Sequence, residues 1–307
     1  MIEWLLEGDP AIRWQVMHDL TDTPADEISR ERVRVSTEGW GARILSLQAD
    51  NGHWGGGIYS PKWISTTYTL LLLRHFGIDP ASRECQAAID RVRARVTWRG
   101  SRPFFEYRGE TCVTGMVLAL SAYFVAAGGS DEVVDYLLGE QLDDGGWNCD
   151  TARGSVRSSF NTTISVLEGL LEYERARGVA DPAIDGARTR AHEYLLERHL
   201  LRFLSTGEII NPRWKLFSFP PQWHYDVLRG LDYFRDAGIP FDERCHEAIA
   251  LVKAKRRTDG TWPLQNHYAG KEHFKMEPGP GKPSRWNTLR ALRVLQFGNS
   301  PISEVVL

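Results

Sequence analysis

Five segments of the chain are dense in apolar residues and helical in their periodicity. They begin near Trp63 (WISTTYTLLLLRHFG), Glu110 (ETCVTGMVLALSAYF), Ser159 (SFNTTISVLEGLLEY), Trp223 (WHYDVLRGLDYF) and Trp286 (WNTLRALRVLQF). A sixth lies at the start, in AIRWQVMHDLTD from Ala11 to Asp22. Between them run more polar amphipathic stretches, over 82–96, 131–140, 182–203 and 242–256. A helix apolar on most sides is buried, and one with a polar face meets water. The alternation therefore predicts an all-α protein with inner and outer helices. Six inner helices would close an (α/α)6 toroid, one domain over 1–307. A solenoid that does not close is the alternative.

Three short segments repeat one pattern: QADNGHW (Gln48–Trp54), QLDDGGW (Gln141–Trp147) and RRTDGTW (Arg256–Trp262). The first two fit Q-x-x-x-G-x-W, and the third carries Arg at the Gln position. Each follows a helical apolar run. Glycine accepts the left-handed backbone that ends a helix. The Trp can then fold back, and Gln can bond free carbonyls. The three copies resemble the QW motif of squalene-hopene cyclases and their relatives, a family of α/α toroids that includes the protein prenyltransferases. The resemblance implies a ring with a cavity on its axis.

The composition, 42% hydrophobic and 25% charged, is that of a globular chain, and the net charge of −3 implies no broad basic surface for nucleic acid. Eleven Trp need a structural or ligand-binding reason. Cys85, Cys112, Cys149 and Cys245 are widely spaced, which favours reduced thiols and a cytoplasmic protein over a disulfide framework. The start, MIEWLLEGDP, lacks the basic and apolar regions of a signal peptide. Thr111–Ser130 carries no charge over about the length of a membrane span. Its Thr, Cys, Ser and Gly residues point instead to a helix buried in a soluble ring. Peripheral membrane contact stays open.

Parallel inner helices would gather their N-termini, with partial positive charge and free N–H groups, at one rim. The first turns there hold Glu110, Cys112, Asn161, His224, Asp226 and Arg285. Capping accounts for many small polar residues at such places, but not for Trp63, Trp223 and Trp286 at one stage of three repeats. The segments leading in, SRPFFEYRGE, NPRWKLFSFPPQW and NHYAGKEHFKMEPGPGKPSRW, mix aromatic with basic residues. Arg213, Lys275, Lys282 and Arg285 are candidate contacts for an anion, and the three Trp are candidate walls for an apolar chain.

Class II triterpene cyclases begin one inner helix with D-x-D-D-T-A, whose middle Asp protonates an alkene. Here ETCVTG (Glu110–Gly115) is the best match, with Cys112 at the proton donor's position, and a thiol is a poor acid for that step. Prenyltransferases hold zinc with Asp-x-Cys and His, which Glu110, Cys112 and His224 resemble in residue type. The leading expectation is a cyclase- or prenyltransferase-like protein. It would bind an isoprenoid or similar amphipathic anion in an axial cavity, with Glu110 or Asp226 as acid/base and His224 and Cys112 beside them. A second expectation is an (α/α)6 polysaccharide lyase or glycoside hydrolase using Glu110 and Asp226. A third is a non-catalytic lipid- or protein-binding scaffold. A mostly apolar cavity would favour the first over the second.

Overall fold

The computed structural model describes residues 1–125 and 131–298, and it is mostly helical. In chain order the helices are α1 (Ile2–Leu6), α2 (Pro10–Leu20), α3 (Ala25–Thr37), α4 (Gly39–Ser46), α5 (Thr66–Phe76), α6 (Arg83–Arg95) and α7 (Thr111–Val125). There follow α8 (Asp131–Gly139), α9 (Phe160–Arg177), α10 (Pro182–Leu196), α11 (Val227–Asp236), α12 (His246–Ala254) and α13 (Arg285–Phe297). Among the described residues the one sheet is a two-stranded antiparallel pair, β1 (Trp262–Pro263) with β2 (Pro283–Ser284).

All six apolar segments are helices: α2, α5, α7, α9, α11 and α13. Their ends follow local chemistry. Asp9 caps α2 through the Ala11 N–H, ahead of Pro10 at the first helical position. Asp226 caps α11, and Ser284 caps α13. Gly77 ends α5 in the left-handed conformation. Trp63 and Trp223 stand ahead of their helices rather than in them. The apolar pattern over 182–203 breaks at Leu196, because His199 and Leu200 turn left-handed (φ 46° and 66°) and carry buried Leu200 and Leu201 into a loop. α7 is buried nearly all round and is shorter than the uncharged stretch that contains it. The GGS end of that stretch lies outside the described residues. No described helix is long and apolar enough to cross a membrane.

Successive apolar helices pack in chain order. α5 meets α7, α7 meets α9, α9 meets α11, α11 meets α13, and α13 meets α2. α2 reaches the end of α5 by hydrogen bonds, from Trp14 Nε1 to the Phe76 carbonyl (2.8 Å) and from Gln15 Nε2 to the His75 carbonyl (3.1 Å). The tightest approach is α7 on α9. A Cβ on Gly169 would fall 2.5 Å from the Gly115 carbonyl oxygen, and one on Gly115 would fall 2.8 Å from Val166 N. Only glycine allows the two backbones so close.

The three Trp motifs make the same bonds. Trp54, Trp147 and Trp262 are fully buried. Each indole N–H donates to a carbonyl ten residues upstream, in the preceding helix: Ile44 (2.8 Å), Leu137 (2.7 Å) and Val252 (2.8 Å). Each backbone N–H donates to a threonine hydroxyl of the following apolar helix: Thr66 (3.3 Å), Thr163 (3.0 Å) and Thr288 (2.9 Å). Gly52, Gly145 and Gly260 all sit at positive φ, 83°, 93° and 84°. Gln48 donates to the Gly52 and Ala88 carbonyls, and Gln141 to those of Gly145 and Ala187. The glutamines thus tie one polar helix to the next polar helix, α6 or α10. Arg256 keeps only the bond to its own Gly260 (3.4 Å). The first two motifs are thus joints between three helices, and the third joins two.

Candidate functional site

At the end where the apolar helices begin, the sequence-predicted residues fall into separate groups. Cys112 is buried on the first turn of α7, in a cluster against which Cys149 packs. Glu110 is exposed just ahead of it. His224 is stacked between Trp223 and Tyr268, at 3.7 Å from each ring centroid, with Trp63 edge-on at 6.1 Å. Burial, with Arg229, Lys62 and Arg213 nearby, brings the His224 imidazole down to about 4. Asn161 accepts the Tyr225 N–H through Oδ1 (2.7 Å). The buried Asp226 carboxylate accepts from the Arg229 N–H (2.8 Å) and from the backbone and hydroxyl of Ser218 (3.3 and 3.1 Å), as a cap does. Among the described residues, no three His, Cys, Asp or Glu side chains stand together as a metal-holding group, so Glu110, Cys112 and His224 do not converge.

The loops ahead of these helices fold over one another. Trp63 Nε1 donates to the Tyr268 and Ala269 carbonyls (3.2 and 3.1 Å), and Ser218 bridges to Asn266. The aromatic residues of the expected mouth therefore largely pack on each other. Arg213 and Lys275 are exposed. Arg285 and Lys282 line a smaller cavity of about 450 Å³ with Trp4, Met276 and Glu277. There Arg285 lies over the Trp4 ring (4.5 Å) and donates to the Trp4 carbonyl (3.0 Å). Burial pushes the Glu277 carboxyl up to about 7, although it accepts from the Ser284 hydroxyl (2.8 Å) and the Trp286 N–H (3.2 Å).

The larger cavity, about 560 Å³, lies at the opposite end of the apolar helices. Residues from the later parts of α2, α5, α7 and α9 line it, together with α11, α13 and Arg32 of α3. Seven arginines face it: Arg32, Arg74, Arg175, Arg229, Arg235, Arg290 and Arg293. Five carboxylates stand among them: Asp19, Glu168, Glu172, Asp232 and Asp236. Arg229 grips Glu168 through both nitrogens (Nε–Oε1 2.8 Å, Nη2–Oε2 2.7 Å). Arg74 holds Glu172 (2.8 and 2.6 Å), Arg175 holds Asp236 (3.0 Å), and Arg293 holds Asp19. Asp232 is shared by Arg235 and Arg290, each at 3.3 Å. Arg32 pairs with none of these acids. It lies over the Trp14 ring at 5.1 Å and donates to the Gly77 carbonyl (2.9 Å) and the Tyr123 hydroxyl (3.2 Å).

Burial alone would raise Glu168, but the Arg229 charge and its hydrogen bonds bring it down to about 2. His75 on the same wall falls to about 3, through burial and then the Arg74 charge. At neutral pH Glu168 is thus ionised and His75 uncharged. Trp286 and Phe219, stacked at 4.2 Å and 10°, supply an aromatic part of the wall. The buried Nε of Arg293 and Nε1 of Trp286 have no hydrogen-bond partner among the described residues. Of the sequence-predicted residues, Trp286 is the one on this wall. The arginines were missed, yet they leave a signal: charges set inside apolar helices, as in LLLLRHF and TLRALRVLQF. Such residues are seldom buried unless paired.

Neither a protein-family model nor a curated protein matches the chain. A solved structure of a protein from Actinoplanes is similar to it over 94% of this chain and 90% of its own, at 16% identity and a TM-score of 0.41.

Proposed function

We propose that the chain is an α/α toroid that binds a small amphipathic anion in the larger cavity. The toroid is supported by the chain-order packing of the six apolar helices, by the contact of the last with the first, and by the three repeated Trp joints. The binding reading is carried by one observation, the excess of arginines over carboxylates around a cavity with aromatic stacking on one side. Its volume lies within the range of about 300–1,000 Å³ usual for small-molecule sites. Arginine forks suit carboxylate or phosphate groups, and the Phe219–Trp286 stack suits an apolar part. An isoprenoid diphosphate belongs to this class, but the charged wall is not the mostly apolar one that a hydrocarbon chain alone would need. The ionised Glu168 and neutral His75 support binding over proton donation.

Titration calorimetry with farnesyl diphosphate, myristate and inorganic pyrophosphate tests the reading, with farnesol as the uncharged control. Binding of an anionic probe is expected, weakened by salt and at least about tenfold by Arg235→Gln together with Arg32→Gln, whereas farnesol does not bind. Silence from all three anions, or equal binding by the double variant, overturns it.

A further inference from the structure

Two thiols meet at the other end of the molecule. The close approach of α7 and α9, set by Gly115 and Gly169, brings the first turn of α7 beside the loop that enters α9. Cys112 stands on that turn. Cys149 stands in that loop, two residues after the buried Trp147, whose bonds to Leu137 and Thr163 fix the loop's position. The Cys149 sulfur lies 3.3 Å from the Thr162 hydroxyl, and the register of α7 on α9, with Gly115 against Val166 and Leu118 against Gly169, sets Cys112 beside that turn of α9. Both side chains belong to one cluster with Tyr59 and Tyr68.

The two sulfurs differ. Cys112 is 8% exposed, whereas Cys149 is half-buried and more open to reagents. The neighbouring Cys112 thiol, and then the Thr162 hydroxyl, draw Cys149 below the usual thiol range against the opposing effect of burial. Cys112 is pushed up by its Cys149 neighbour and by burial. Cys85 and Cys245 are buried elsewhere, and burial lifts each to about 12. The thiolate is the reactive form of cysteine, and the more open Cys149 is the nucleophile of the pair, with the buried Cys112 as its neighbour.

We propose that Cys149 and Cys112 form a redox-active dithiol that a hydroperoxide oxidises to an intramolecular disulfide. The Cys149 thiolate attacks the distal peroxide oxygen. An S–O bond forms, the O–O bond breaks, and the alkoxide leaves as an alcohol after taking a proton from solvent. Cys112 then attacks the sulfenic sulfur. The S–S bond forms, the S–OH bond breaks, and the Cys112 proton departs with hydroxide as water. The peroxide is reduced by two electrons and the dithiol oxidised by two. A small thiol returns the pair to its reduced state. The disulfide ties the start of α7 to the loop ahead of α9, next to Glu110, Tyr59 and Tyr68.

The test uses the full chain, reduced and then exposed to one equivalent of hydrogen peroxide. Intact mass is expected to fall by two hydrogens, and peptide mapping to join Cys112 to Cys149. Cys112→Ala stops at a sulfenic acid on Cys149, which dimedone traps. Cys149→Ser gives neither product, and Cys85→Ser behaves as the parent. In the native protein, iodoacetamide labels Cys149 with a pH profile that inflects below the usual thiol range and moves upward in Cys112→Ala. A purely structural pair would not move this profile. Labelling of Cys149 no faster than Cys85 and Cys245, or oxidation of the parent without the 112–149 link, overturns the proposal.

Discussion

Replacing Trp147 with alanine should destabilise the protein by about 3–5 kcal/mol, the usual cost of deleting a large aromatic side chain from a core. The side chain is fully buried in a cluster that also holds Leu137, Leu167, Ala187 and Ala191, from three helices. Its indole N–H also bonds the Leu137 carbonyl at 2.7 Å. That carbonyl has a second donor, the Glu140 N–H at 3.3 Å, so losing the indole bond adds about 1 kcal/mol at most. Trp147→Phe keeps most of the ring and loses the N–H, and should cost roughly 1–3 kcal/mol. For a chain of this length the melting entropy is about 0.6 kcal/mol per kelvin. The alanine variant should therefore melt about 5–8 °C lower, and the phenylalanine variant about 2–5 °C lower. Scanning calorimetry reads both shifts. Trp54→Ala and Trp262→Ala should fall in the same range, because they make the same two bonds. A joint role is refuted if any of the three alanine variants melts within a degree of the parent.

Two further predictions concern pH. Glu168 sits at about 2 in the fold, below its ordinary 4.5. Its contribution is therefore present above pH 4.5 and lost as pH falls through 2, on the order of 3 kcal/mol in all. Urea unfolding from pH 7 to pH 2 should show a shallower acid loss in Glu168→Gln than in the parent, and parallel curves would contradict the Arg229 pairing. Glu277 runs the other way. Its folded value of about 7 lies above the ordinary 4.5, so its contribution is complete below pH 4.5 and lost as pH rises through 7. Glu277→Gln keeps an acceptor for Ser284 and Trp286, and should gain on the order of 1–3 kcal/mol relative to the parent between pH 5 and pH 8. An unchanged difference between those two pH values would count against it.

The helices were legible where periodicity and punctuation agree. The apolar runs mark α2, α5, α7, α9, α11 and α13, and the G-x-W segments mark three of the joints. α10 shows the limit. Leu200 and Leu201 continue the apolar pattern, yet they are buried from a loop, and periodicity cannot tell the two apart. The site was harder to read. Trp63, Trp223 and His224 are aromatic or basic residues ahead of helix starts, as a ligand mouth would have. The same composition also suits loops that cover helix ends, and here the rings of Trp63, Trp223, His224 and Tyr268 contact one another. The larger cavity depends on which loops reach across, a non-local property. The pairing of Cys112 with Cys149 is non-local too, since it needs the α7–α9 approach.

The end of the molecule that holds this cavity is electrostatically the less obvious one for an anion. Helix carbonyl ends carry partial negative charge, and several converge there. Salt bridges join the later halves of neighbouring helices: Arg74 to Glu172 (α5 to α9), Arg175 to Asp236 (α9 to α11), Arg290 to Asp232 (α13 to α11) and Arg293 to Asp19 (α13 to α2). Each such pair is costly to desolvate and contributes little net stability. Hydrophobic residues would hold the helices as well. What the pairs add is orientation: every guanidinium is held in place by a carboxylate or a carbonyl before any ligand arrives. The arginines also offset the carbonyl ends, and Arg32, free of any carboxylate among the described residues, carries the local balance towards positive charge. A site so arranged spends little ordering free energy when an anion enters. Charges fixed in advance also make this end, rather than the self-packed aromatic end, the one suited to recognise an anion.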